Sequence, residues 1–183
     1  GNGAAMRVAP VGAFFAGDID AVVRNAARSA VITHTHDEAV AGAIAVAVAA
    51  ARACEARSAS RPPARSEFLD SILTHVPESE VRSKIRQARD MSADASVQFA
   101  VSVLGNGVRV SAQDTVPFAL WCAAKHLSNY EEALWLTVSG LGDRDTTCAI
   151  VGGIVAAYTG TEAIPCEWLK SRELLPAWPF TGR

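Results

Sequence analysis

An all-α fold is what this sequence predicts, and three observations carry that prediction. Apolar residues recur at three- and four-residue spacing through nearly every segment, whereas the alternation of a half-buried strand is almost absent. Helix punctuation is frequent, with Asp, Ser or Asn ahead of apolar runs and Gly behind them. The run Ala39 to Ala51 is made only of Ala, Val, Ile and Gly, small residues that favour helix and let neighbouring helices approach closely. Residues 1–183 therefore read as a single all-α domain, a compact multi-helix bundle.

Asp18 or Asp20 is placed to cap a helix through Val22, Val23, Ala26 and Ala30 towards Ile32. Asp37 or Glu38 opens the Ala-rich helix, which runs to about Arg57. Ser58 to Ser66 contains Pro62 and Pro63 and reads as a connector. A short helix follows from Ser66 with Phe68, Ile72 and Val76 on its apolar face, and another starts at Pro77-Glu78-Ser79-Glu80 with Val81 and Ile85 inward. Past Asp94, a helix through Val97, Val101 and Leu104 stops at Gly105. Gly105-Asn106-Gly107 is a turn, followed by a brief extended piece. Thr115-Val116-Pro117 begins a helix with Phe118, Trp121 and Cys122, and Asn129-Tyr130-Glu131-Glu132 begins one with Ala133, Leu134 and Leu136. The last long helix is expected from Thr146 to about Tyr158 with Gly160 behind it, and Pro165-Cys166-Glu167-Trp168 starts a terminal one. The tail Pro176-Ala177-Trp178-Pro179 should be irregular.

Composition narrows the function. Half of the 183 residues are hydrophobic, a fifth are charged, and the net charge is -2, so no nucleic-acid or membrane partner is expected. The basic stretch Arg82 to Arg89 is interrupted by Ile85 and Ala88 at helical spacing, the pattern of a solvated helix face. Four scattered cysteines, Cys54, Cys122, Cys148 and Cys166, form no Cys-x-x-Cys pair, which favours a reducing, cytoplasmic setting over a zinc or disulfide framework. The chain has no initiator Met and opens on Gly1-Asn2-Gly3, from which it is expected to begin partway through a larger protein.

The chemistry-bearing motif is Gly140-Leu141-Gly142-Asp143-Arg144-Asp145-Thr146-Thr147, ahead of Cys148-Ala149-Ile150-Val151. Asp143, Asp145 and Thr146 offer three hard oxygen donors within four residues, a set suited to Mg²⁺. The same charges at a helix start are also favoured by the dipole, so a purely capping role stands beside the metal reading. Asp-x-Asp-Thr also marks phosphatases with an aspartyl nucleophile, but those place it after a buried strand early in an α/β fold. Gly1-Asn2-Gly3 and Gly105-Asn106-Gly107 are by themselves turn signals. His36, His75 and His126 read as surface or satisfied histidines, and the tryptophans as packing residues.

Taken together, four segments resemble the ADP-ribosylglycohydrolase family: Gly1-Asn2-Gly3-Ala4-Ala5-Met6-Arg7, Thr33-His34 with Gly42-Ala43, Leu104-Gly105-Asn106-Gly107 with Val116-Pro117, and Gly142-Asp143-Arg144-Asp145-Thr146 running on to Gly152-Gly153 and Ile164-Pro165. The resemblance implies hydrolysis of a glycosidic bond that releases ADP-ribose, with ADP-ribose or an ADP-ribosylated protein or small molecule as the partner. It implies two Mg²⁺ ions, with Mn²⁺ as the substitute, held in part by Asp143, Asp145 and Thr146. It implies ligand contacts from Gly1, Asn2, Gly3, His34, Gly105 and Asn106. Two departures stand out. Arg144 occupies the place where the family carries Thr, and a Thr-Asp-Asp set with a further acidic residue, expected ahead of the glycine motif, is absent. An upstream segment or a second chain is therefore expected to complete the site and to bring the general acid/base, so no catalytic residue is assigned here. The alternative is a non-catalytic ADP-ribose or nucleotide-binding module with half of the metal site.

Overall fold

The structure is a computed structural model that describes residues 1–59 and 61–174. Its described residues form helices and loops, with no strand among them. In chain order the helices are α1 (Gly3–Met6), α2 (Ala9–Phe14), α3 (Ile19–Val31), α4 (Asp37–Ala56), α5 (Arg65–Leu73), α6 (Glu80–Asp90), α7 (Val97–Leu104), α8 (Ala112–Lys125), α9 (Tyr130–Ser139), α10 (Arg144–Thr159) and α11 (Cys166–Ser171). The expected all-α class holds.

Two helices form the centre. Helix α4 packs against α1, α2, α3, α5, α8 and α10, and α8 packs against α4, α6, α7, α9 and α10. By length and apolar content alone α4 would pass for a membrane span, yet 72% of its apolar window is buried inside the bundle. Small side chains are what make this possible. Gly12 of α2 lies directly on the backbone of Ala47, where a Cβ would come within 2.7 Å of its carbonyl carbon. The larger fillers come from α8 and α10: Phe118, Leu120, Trp121, Ile150 and Ile154 are all fully buried. Phe118 and Trp121 stack with centroids 6.1 Å apart.

Local chemistry sets most boundaries. Asp18 accepts from the Ala21 amide, Ser79 from Arg82, Ser96 from Phe99 and Asn129 from Glu132, each a side-chain oxygen taking one of the free amides of a first turn. Glu38 reaches from α4 to the amides of Glu80 and Val81 at 2.8 and 2.9 Å, tying the starts of α4 and α6 together. The basic face of α6 is solvated as expected, with Ile85 and Ala88 buried and its arginines paired to Glu78, Asp70 and Asp90.

Several expectations are corrected. Helix α4 opens at Asp37, one of the two residues expected there, and what the sequence did not single out is its cap, the His36 ring, which accepts from the Glu38 amide. The opening Gly-rich segment forms α1 and α2 where only a turn was expected, since Ala4, Ala5, Val8 and Ala9 bury themselves against the core. Helix α8 begins at Ala112, leaving Pro117 inside it, because Asp114 and Thr115 both bond back towards Ser111. The extended piece after Gly107 is a turn closed by the Val110 amide on the Gly107 carbonyl. The described tryptophans are packing residues as expected: Trp121 is core, and Trp135, though 56% exposed, packs edge-on against Trp168. Trp178 and the irregular tail lie outside the described residues.

Candidate functional site

Four distant stretches meet at one end of the bundle: the opening segment, the end of α3, the loop from α7 to α8, and the loop leading into α10. The α7–α8 loop leaves α7 through Gly105, whose φ of +92° is left-handed and whose missing side chain admits Asp114. The carboxylate of Asp114, itself buried, accepts from the Arg109 amide at 2.8 Å, and its carbonyl accepts from the Gly107 amide at 2.8 Å. This closes the loop on itself. Gly107, at φ +89°, then lies flat against the α10 loop, where a Cβ would come within 2.6 Å of the Asp143 Cβ.

The α10 loop is locked from the other side. The Asp143 amide donates to the Asn106 carbonyl at 3.0 Å, and the Asn106 side-chain amide donates to the Gly140 carbonyl at 2.9 Å. Val110 and Leu141 both hold positive φ, 52° and 57°, conformations that non-glycine residues rarely adopt. One lies in each of the two loops that meet here, and outliers of this kind gather where a constellation is held under strain.

Asp143 sits at the N-cap of α10, one carboxylate oxygen accepting from the Thr146 amide at 3.2 Å. The other accepts from the Asn2 side-chain amide at 2.8 Å, and the same Asn2 nitrogen donates to Thr115 Oγ1 at 3.1 Å. Burial pushes the Asp143 carboxyl up, but hydrogen bonds from Thr146 and Asn2 outweigh it and hold the group below the ordinary carboxylate range. It is ionised at neutral pH. Asp145 is exposed in the first turn of α10, Thr146 is buried with its hydroxyl on Met6 Sδ at 3.6 Å, and Arg144 points to solvent. The capping role thus holds for Asp143, while Asp145 makes no such bond.

His34 lies against the opening segment. Its ring edge faces the opening segment, so closely that a Cβ on Gly1 would come within 2.9 Å of Nε2 and one on Gly3 within 3.2 Å of Cε1. The expected ligand and metal residues therefore gather in one place: Gly1 and Gly3 against His34, Asn2 on Asp143, Asn106 under the Asp143 loop, and Gly105 behind it. Asn2 is a buried brace for Asp143. Thr115, which no sequence signal singled out, is part of that brace. Among the described residues, no three His, Cys, Asp or Glu side chains converge closely enough to cage an ion.

The sequence profile of the ADP-ribosylglycohydrolase family matches residues 1–178. An uncharacterized protein of Archaeoglobus fulgidus is 40% identical over 180 residues, covering 94% of this chain and 54% of that protein. The ADP-ribosylhydrolase ARH3 of Bos taurus is 29% identical over 203 residues, covering 94% and 53%. The uncharacterized protein YegU of Escherichia coli is 32% identical over 177 residues, covering 89% and 51%. The chain spans about half the length of the curated relatives it matches.

Proposed function

This chain belongs to the ADP-ribosylglycohydrolase family, and from that premise we propose that it works in the hydrolysis of ADP-ribosyl linkages, freeing ADP-ribose from a modified protein or small molecule. The observation that supports this most is the convergence of Gly1–Gly3, His34, Gly105–Asn106 and Asp143–Thr146, held by the 2.8 Å bond from Asn2 to Asp143. Glycine backbone without side chains lets a pyrophosphate approach closely, and His34 offers a ring nitrogen beside it.

The donor set suits Mg²⁺, or Mn²⁺, in kind. Asp143 is ionised and has a lone pair left on each oxygen, Asp145 is exposed, and the Thr146 hydroxyl spends only its proton, on a thioether. Asp143, Asp145 and Thr146 would hold the ion. When bound, a pair of such cations supplies charge for orienting vicinal ribose hydroxyls and for lowering the pKa of a water. Three protein ligands are few for two octahedral ions, so an upstream segment or second chain supplies the rest. Val108, Val110 and Leu141, on the very loops that form the site, are 71%, 60% and 63% exposed and offer such a segment an apolar seat.

Calorimetric titration tests the reading. ADP-ribose should bind in a Mg²⁺-dependent manner, and Asp143→Ala should abolish the metal dependence while costing only about 1 kcal/mol of stability for the lost cap. An ADP-ribosylated peptide should be turned over only when an upstream segment is supplied. The shortage of carboxylates also favours a second reading, a binding module without chemistry. It predicts ADP-ribose affinity that ignores the metal and Asp143→Ala alike.

A further inference from the structure

The opening segment and the end of α3 are joined by a chain of three side chains that ends at His34. Arg7 donates from Nη2 to the Ser29 carbonyl at 2.9 Å and from the same nitrogen to Thr33 Oγ1 at 2.9 Å. Thr33 Oγ1 lies 2.8 Å from His34 Nδ1. The Thr33 and His34 amides both bond to the Ala30 carbonyl, at 3.1 and 2.8 Å, which fixes the backbone that carries the pair. The far ring nitrogen, Nε2, is the one against Gly1 and Gly3.

The direction of these bonds follows from what each group can do. A guanidinium only donates, so Thr33 Oγ1 accepts from Arg7. The hydroxyl has a single proton of its own. Sent to Nδ1, it completes a chain in which every step runs the same way, and the positive guanidinium at its head polarises the hydroxyl into a better donor. The opposite tautomer would fill both lone pairs of Thr33 Oγ1 with N–H donors, one of them cationic. It would also leave the hydroxyl proton without a protein acceptor among the described residues.

We infer that Arg7 and Thr33 are positioning residues that make Nδ1 of His34 the acceptor and Nε2 the protonated ring nitrogen, so that the ring donates a hydrogen bond into the space beside Gly1 and Gly3. The Ser29 bond is an ordinary cationic cap on the last turn of α3. The Thr33 bond is the one that reaches the site. Resting on the function proposed above, this makes His34 a donor to a phosphate or ribose oxygen of ADP-ribose, and it rejects ligands that present a donor at that point.

Nitrogen-15 imidazole spectra of the ligand-free chain at pH 8 test the relay without any activity. The expected result is the Nε2–H tautomer for His34 in the native chain and in Thr33→Ser, and a mixture of tautomers in Thr33→Val and Arg7→Met. ADP-ribose affinity should fall roughly tenfold in Thr33→Val, the worth of one hydrogen bond, and recover in Thr33→Ser. A native Nδ1–H tautomer, or one that Thr33→Val leaves unmoved, would overturn the inference. If the native chain binds no ADP-ribose at all, the proposed function fails, while the tautomer still decides the relay.

Discussion

Helix α4 and the loops around Asp143 solve opposite problems. Along α4, residues Ala41 to Ala51 are buried without interruption, and the packing is of small apolar groups against backbone. At the Asp143 end, position is fixed by directed bonds: Asn2 to Asp143, Asp143 to Asn106, Asn106 to Gly140, Asp114 to Arg109 and Gly107. The first region draws stability from close packing, which is intolerant of volume and indifferent to chemistry. The second is held by single polar contacts, each worth about 1 kcal/mol, so it can be rearranged without unfolding the bundle. The core therefore sets how stable the protein is, and the loops set how Asp143 is held.

Three measurements sharpen or break that contrast. The largest effect on stability is expected from Ala47→Leu, which forces a branched side chain into a fully buried position of α4 and should cost about 1–3 kcal/mol in chemical denaturation. Asn2→Ala should come next. It removes the brace from Asp143 for about 1 kcal/mol, yet raises the Mg²⁺ concentration needed for ADP-ribose stabilisation roughly 10–100-fold. A greater loss of stability in Asn2→Ala than in Ala47→Leu would erase the distinction between the two regions.

The smallest effect should be acid sensitivity of the scaffold away from the site. Burial, reinforced by Arg52, lowers the His75 pKa, and burial with Lys125 nearby lowers that of His126. Both histidines are thus favoured neutral in the folded state. Their contribution is complete above the ordinary histidine value near 6.5 and is lost as pH falls through their depressed folded values. Denaturation midpoints should decline through that window, and His75→Gln should flatten the decline. Midpoints that rise on acidification would contradict the burial of His75 with the Arg52 guanidinium 3.0 Å from its Nε2.

Much of this was legible in the sequence, and the reason is local. Asp18, Ser79, Asn129 and Gly105 act on residues within four positions of themselves, so their caps and stops can be read from short windows. The Asp143 cap is local in the same way, whereas the meeting of glycine and histidine segments was legible only as a joint pattern. What escaped depends on contacts across long separations. Nothing near Asn2 says that its amide will be buried against Thr115 and Asp143, and nothing near Thr33 says that Arg7 will reach it. Pro117 misled because a proline usually marks a helix start, whereas here Ser111 begins the turn six residues earlier.

The bond from Asn2 to Asp143 has a temporal side. It closes a loop of 141 positions, so the carboxylate takes its orientation only after nearly the whole domain has been synthesised and has condensed. A nascent polypeptide emerging from the ribosome passes through most of these positions with the glycine segment lacking the carboxylate that Asn2 braces.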